Sequence, residues 1–322
     1  MASVPSGTEA VSKIVAMKNL FGSTRFEKHI APYIFILPML LGLFVFRLGP
    51  VVWSFLLSFQ KYNPFQGGVW IGLENYKELL EDKDFHQVFF NTLKFTLMYL
   101  PLGVISSLIL AVLVNNKLRG IVIFRAIYFL PVISAVAAVG TIWAWLLNPL
   151  FGLVNYLIKA VFGIIGPEWL GSPKTALFTL VLVNVWLTMG YTMVIFLAGL
   201  QGVPQELLDA AWVDGAGKVK RFFRIVLPLL SPTTFFVIII SIIRSFQIFD
   251  LVYIMTAPAA GEGGAVGGPA NSTNVLVISI FLNAFSFNRM GFGAAQAYVL
   301  FLMVAFITFI QFRFQKRWVH YQ

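Results

Sequence analysis

Cysteine is absent from the 322 residues, which excludes disulfides, thiolate metal centres and cysteine nucleophiles. Histidine is nearly as scarce: His29, His86 and His320 lie far apart, so no metal site is expected. Charge is thin as well. Asp, Glu, Lys and Arg make up 11% of the chain, against about a quarter in an ordinary soluble domain, and 59% of residues are hydrophobic. Such a chain cannot clothe a water-facing surface, so lipid is its main solvent. Nucleotide-binding patterns are missing too. The fragment "GAGK" at residues 215–218 lacks the earlier Gly and the following Ser or Thr of a phosphate loop, because Trp212 and Val219 hold those positions. The net charge of +10 invites a nucleic-acid reading, but the bases gather at the ends of apolar runs, where membrane topology accounts for them. No nucleic acid, metal or cofactor is expected on this chain.

Long apolar runs are what the sequence has instead. A helix needs about 20 apolar residues to cross a hydrocarbon core of about 30 Å. Six stretches qualify: 33–59, 92–114, 121–147, 175–200, 229–255 and 291–314. They predict an all-α, polytopic membrane protein whose transmembrane domain covers 31–316, with segments 1–30 and 317–322 outside it. The apolar run 275–285 is too short to span and reads as a helix near the membrane surface or dipping partly in. Residues 257–273, rich in Gly, Pro and Ala, read as a flexible outer loop, and residues 11–21 as a mobile tail or a short amphipathic helix. The first apolar run is long enough to stay as an anchor rather than be cleaved.

Orientation follows from Lys and Arg. Fourteen flank one side (the N-terminal segment, the second and fourth loops and the tail) and six the other. Both termini and the loop 201–228 are therefore expected in the cytoplasm.

Polar side chains inside the spans are candidates for a transport path. With a rise of about 1.5 Å per residue, 241–245 in the fifth span and 184–191 in the fourth lie at similar depth. At about 100° per residue, Asn184, Thr188 and Tyr191 share one helix face, as do Ser241, Arg244 and Ser245. Helix-to-helix glue is the plain alternative for each. Arg244 is costly to insert, so something must offset it: an acidic substrate, or an ion pair or carbonyl contact within the bundle. Arg47 sits within the first span just before Gly49 and Pro50, and Asp250 near the outer end of the fifth.

Loop 201–228 is unexpectedly polar. Pro204 is placed to start a short helix, Glu206 lies in its first turn, and Leu207, Leu208, Ala210 and Ala211 fall on one broad face. Gly215 can take the left-handed backbone that ends it. The run "DAAWVDGAGKVKRFFRIVLP" closely resembles the cytoplasmic signature of the inner-membrane permease subunits of ATP-driven importers, Glu-Ala-Ala, then Gly, later Ile-x-Leu-Pro. Here these are Asp209, Ala210, Ala211, Gly215, Ile225, Leu227 and Pro228, with Asp209 in place of the usual Glu. "GLENYKELLEDKDFHQVFFNTL", "FRAIYFLPVISAVAAVGTIWAWLLNPLFGLVN" and "FQIFDLVYIMT" are similar to the carbohydrate class of these permeases, the maltose and glycerol-phosphate type.

That resemblance implies a bacterial or archaeal inner-membrane importer. An extracytoplasmic binding protein would deliver a sugar or oligosaccharide, and two permease subunits, the second expected to be a different chain, would form the path. Two ATPase subunits would bind ATP and Mg and drive it, so this chain itself is not an enzyme. The helix in loop 201–228 would be the coupling helix, with Glu206, Leu208, Asp209, Ala210, Ala211, Asp214, Gly215 and Ala216 against the ATPase. By position against the sugar-contacting stretch of the maltose permease, "NVWLTMGY" offers Asn184, Trp186, Leu187, Thr188 and Tyr191, with Ser241 and Ser245 from the next span. Two rival readings remain from composition alone: a secondary transporter or channel using Arg47, Lys94, Arg244 and Asp250 as an ion relay, and a non-transporting scaffold.

Overall fold

The computed structural model describes residues 31–115, 120–257 and 266–318 and divides into two units, Met1–Leu56 and Leu57–Gln322. The expectations for segments 1–30 and 319–322, and for the glycine-rich stretch at 258–265, lie outside the described residues.

In the first unit, helix α1 (Ala31–Ser58, ending just inside the second unit) is apolar all round, as a lipid-facing span must be. Its ladder slips into a π turn at Phe44–Leu48, where the Gly49 N–H bonds the Phe44 carbonyl. Pro50 has no N–H to continue the regular pattern, which is why the slip falls beside it. Arg47 sits within that turn.

The second unit begins with an element the hydropathy pattern did not show, an antiparallel hairpin of β1 (Gln60–Asn63) and β2 (Gly67–Trp70) in register Gln60↔Trp70. Asn63 Oδ1 accepts from the Phe65 N–H at 2.9 Å and so shapes the turn. Then come α2 (Glu74–Glu81), α3 (Lys83–Val114), α4 (Ile121–Ile133), α5 (Val136–Leu146), α6 (Leu153–Phe162), α7 (Ala176–Gln201), α8 (Gln205–Val213), α9 (Lys218–Leu229), α10 (Ser231–Phe246), α11 (Asp250–Thr256), α12 (Leu276–Ser286) and α13 (Met290–Trp318). α3 starts nine residues before the expected span, capped by Asp82 Oδ1 on the Asp84 N–H at 2.9 Å.

Two of the six expected spans are not single helices. α4 and α5, which share the expected span 121–147, meet at 97°, whereas α9 and α10 meet at 66° at the expected start of the span 229–255, leaving four long apolar helices and two bent pairs. Ser134 at the first break is extended, and its hydroxyl takes the Leu130 carbonyl at 2.9 Å. At the second break Pro228 and Pro232 each lack an N–H and crowd the carbonyl one turn back, so the ladder cannot run straight through. The stretch 229–255 is interrupted once more at residues 247–249, before α11.

α3 and α7 form the central pair. Phe95, Tyr99, Leu180 and Val181 pack with Leu251, Val252 and Met255 towards the hairpin end, and Ala111, Met193, Phe196 and Leu197 with Leu230 and Val237 towards the α8 end. Gly190 lets α4 press against α7: the Tyr128 carbonyl fills the space where a Cβ would stand. α12, expected near the membrane surface or dipping partly in, packs within the bundle. Val275, Leu276 and Ile278 are buried, and Gln296 of α13 donates to Ser279 Oγ at 3.0 Å, a polar pairing enclosed by the bundle. Such packing and interhelical bonding hold helices together where lipid removes the hydrophobic drive.

Candidate functional site

Three helices bring polar groups to one place near the middle of the bundle. On α7, Asn184, Thr188 and Tyr191 are spaced so that they form one stripe. Thr188 donates to the Asn184 carbonyl at 2.7 Å, and its oxygen lies 3.0 Å from the Tyr99 hydroxyl of α3. With the Thr188 proton committed to that carbonyl, Tyr99 is the donor in the second bond.

Arg244 comes to the stripe from α10. Its guanidinium carbon lies 4.3 Å over the Tyr191 ring, a cation–π contact. The side chain is exposed in this chain, and among the described residues it has no hydrogen bond and no ion pair. The one ion pair among them joins Glu78 to Arg289 near the hairpin end. Lys94 and Asp250 are both exposed and not paired to Arg244, so no relay of ion pairs connects these three.

The remaining path candidates go elsewhere. Ser245 is fully buried and bonds Thr96 of α3 at 2.9 Å and the Ile242 carbonyl at 2.8 Å; Ser241 is buried as well. Trp186, about half a turn round α7 from Asn184, meets Trp143 of α5 edge-on at 5.4 Å. Leu187 is buried. Sequence reading missed Tyr99, Thr96 and Trp143. Their signal was the shared depth of hydroxyl and aromatic groups on spans two and three, which hydropathy alone does not weigh.

The second site is α8 and the turn after it. Pro204 stands at the N-cap, and Gln205 Nε2 donates to Asp209 Oδ1 at 3.1 Å one turn on. At the far end Gly215 has φ of +76°, its N–H bonds the Trp212 carbonyl at 3.0 Å, and the Ala216 N–H bonds the Ala211 carbonyl at 2.9 Å. This is a Schellman ending, which a glycine at that position permits. Arg221 Nη1 then reaches back to the Leu208 carbonyl at 3.2 Å and braces α9 against α8.

No residue of α8 is buried. Glu206, Asp209, Ala210, Asp214 and Gly215 are exposed, while Leu208, Ala211 and Ala216 are half-buried against the turn. Trp212 and Val213, which the sequence reading left out of this group, are 68% and 82% exposed and enlarge its apolar surface.

Residues 95–320 match the family model described as "Binding-protein-dependent transport system inner membrane component". Similar proteins include the "Probable ABC transporter permease protein YesP" of Bacillus subtilis (strain 168), 37% identical over 302 residues that cover 92% of this chain and 94% of that one. Another is the "sn-glycerol-3-phosphate transport system permease protein UgpA" of Pectobacterium atrosepticum, 34% identical over 294 residues, covering 90% and 96%. Among solved structures, a chain of the bacterial alginate ABC transporter in complex with alginate pentasaccharide-bound periplasmic protein has the same fold, with a TM-score of 0.79 at 19% identity, covering 91% of this chain and 96% of that one. The fold also matches a bacterial ABC transporter involved in the import of the acidic polysaccharide alginate, with a TM-score of 0.76 at 21% identity, covering 89% and 97%. With the family match spanning the polar stripe, its arginine and the glycine-ended helix, the chain belongs to the binding-protein-dependent transport system inner membrane components, the permeases of ABC transporters.

Proposed function

We propose that this chain is one of two membrane-spanning subunits of an ATP-driven sugar importer in a bacterial or archaeal inner membrane. α8 is its coupling helix. The observation that carries this reading is a nine-residue helix with no buried residue, yet capped at both ends, with Leu207, Trp212 and Val213 open on its surface. A helix with that much apolar surface and no cover among the described residues is built for a partner. On the orientation that Lys and Arg support, it faces the cytoplasm, where two ATPase subunits bind ATP and Mg. Their closure would move α8 as a handle and, through the Arg221 brace, α9 with it.

The cargo is a sugar or oligosaccharide that an extracytoplasmic binding protein delivers to a path between this chain and a second, different permease. The solved relatives transport alginate, an acidic polysaccharide, and the glycerol-phosphate permease is named for another anion, which supports an acidic cargo. A secondary transporter built on an ion relay through Arg47, Lys94, Arg244 and Asp250 is disfavoured, because the chain belongs to the binding-protein-dependent permeases.

Purification of the tagged chain from its native membrane tests the reading. An ATPase and a second permease should co-purify with wild type, and Ala210→Arg, an exposed position that spares the fold, should lose the ATPase and keep the permease. Wild type that purifies alone and moves solute in liposomes without ATP would overturn it.

A further inference from the structure

Arg244 raises a question that the importer role does not answer. A cation inside a span needs compensation, and within this chain the described residues supply only the face of Tyr191. The ring contact occupies one side of the guanidinium and leaves its five N–H donors without a hydrogen-bond partner among those residues. Tyr191 thereby braces the cation from one side.

The surroundings narrow what the edge can take. Tyr99 and Thr188, next along the stripe, are neutral and already bonded to each other at 3.0 Å. The Asn184 side chain on the same stripe is buried within this chain, has no hydrogen bond among the described residues, and carries an amide suited to a sugar hydroxyl. Asn184 and Tyr191 are two helical turns apart, about 10 Å at about 1.5 Å per residue, roughly the length of two linked sugar rings. The other basic residue of these helices' shared depth, Lys94, is five positions before Tyr99 and so points away from the Tyr99 face by about 140°. One positive charge therefore stands at one end of a neutral polar stripe.

We propose that Arg244 is the specificity-determining residue for a carboxylate-bearing sugar, a uronate unit of an oligosaccharide, held at the guanidinium edge while Asn184 contacts the neighbouring ring. This rests on the importer reading and deepens it. A carboxylate carries one charge and two oxygens in a plane, which match one fork; a phosphate monoester carries nearly two charges and would leave one uncompensated. Tyr191 is a positioning residue that acts through Arg244.

The test uses the purified permease–ATPase complex without binding protein, so that no upstream selection enters. Saturable binding is measured for digalacturonate, for its neutral dimethyl ester and for glycerol 3-phosphate. Wild type should favour digalacturonate over the ester by about 10-fold or more, with glycerol 3-phosphate weaker than digalacturonate. Arg244→Gln should erase that preference by weakening acid binding far more than ester binding, Arg244→Lys should keep part of it, and Tyr191→Leu should reduce it less than Arg244→Gln does. Equal binding of acid and ester by wild type, no saturable binding of the acid, or a preference that survives Arg244→Gln overturns the assignment. Tighter binding of glycerol 3-phosphate overturns the choice of carboxylate. ATPase co-purification and turnover, measured on the same samples, separate these outcomes from failure of the importer reading: an assembled, ATP-hydrolysing complex with no acid preference sinks the charge assignment alone.

Discussion

α7 and α8 are neighbours in sequence, separated by residues 202–204, and they are held in place by opposite means. Fourteen of the 26 residues of α7 are buried, so its position is set by what packs on it: α3 along its length, and the Tyr128 backbone at Gly190. None of the nine residues of α8 is buried, and its shape is set by its own ends, by Pro204 and by the hydrogen-bonded turn at Gly215. A helix stabilised from its flanks is in shape before a partner arrives, and its surface remains free for that partner.

Substitutions that strike one helix should leave the other intact. Gly190→Leu is expected to have the largest effect, because the new side chain must displace backbone; a loss of about 3 kcal/mol or more is expected, read as a lower midpoint in detergent unfolding. A variant as stable as wild type would mean that α4 and α7 are not in backbone contact. Gly215→Val puts a β-branched residue at φ of +76° and should cost about 1–2 kcal/mol, confined to α8. Amide exchange in 205–216 should quicken while α7 amides keep their protection; loosening of both would show that the two regions are coupled. Arg221→Ala removes the donor to the Leu208 carbonyl, which leaves α8 its caps but not its brace, and about 1 kcal/mol of local protection should go. Thr96→Val is expected to be the mildest. Ser245 keeps its bond to Ile242, and about 0.6 kcal/mol should appear in unfolding with no change at α8.

The glycine end of α8 was legible in the sequence, because a left-handed residue after a short amphipathic run has few substitutes, and the structure places Gly215 at +76°. Hydropathy likewise located every apolar run. It could not show the breaks at Ser134 and at residues 247–249, since a window average over apolar residues ignores where the helical ladder stops. Nor could it separate α12 from a surface helix: burial of Leu276 and Ile278 depends on which helices enclose them. The hairpin escaped because its four-residue strands are shorter than any pattern that distinguishes them. At the polar site, depth and face were readable one helix at a time, and they put Ser245 and Arg244 together. The neighbours divide them: Thr96 takes up Ser245, whereas Tyr191 supports Arg244. A side chain's depth is local information, but its partner is not.

The segment that returns the chain to α12 is fastened more firmly than its composition suggests. The Gly267 N–H donates to Thr256 Oγ1 at 3.3 Å, Gln87 holds the Ala270 carbonyl at 2.7 Å, and Asn91 holds the carbonyls of Asn271 and Asn274 at 2.8 and 3.1 Å. The chain that leaves α11 is thus brought back beside its point of departure, and α3 grips it there. An epitope or a small domain spliced in after Ala257 would find its two ends already joined, and would add a handle on that side of the protein without tugging on the helices that carry the polar stripe.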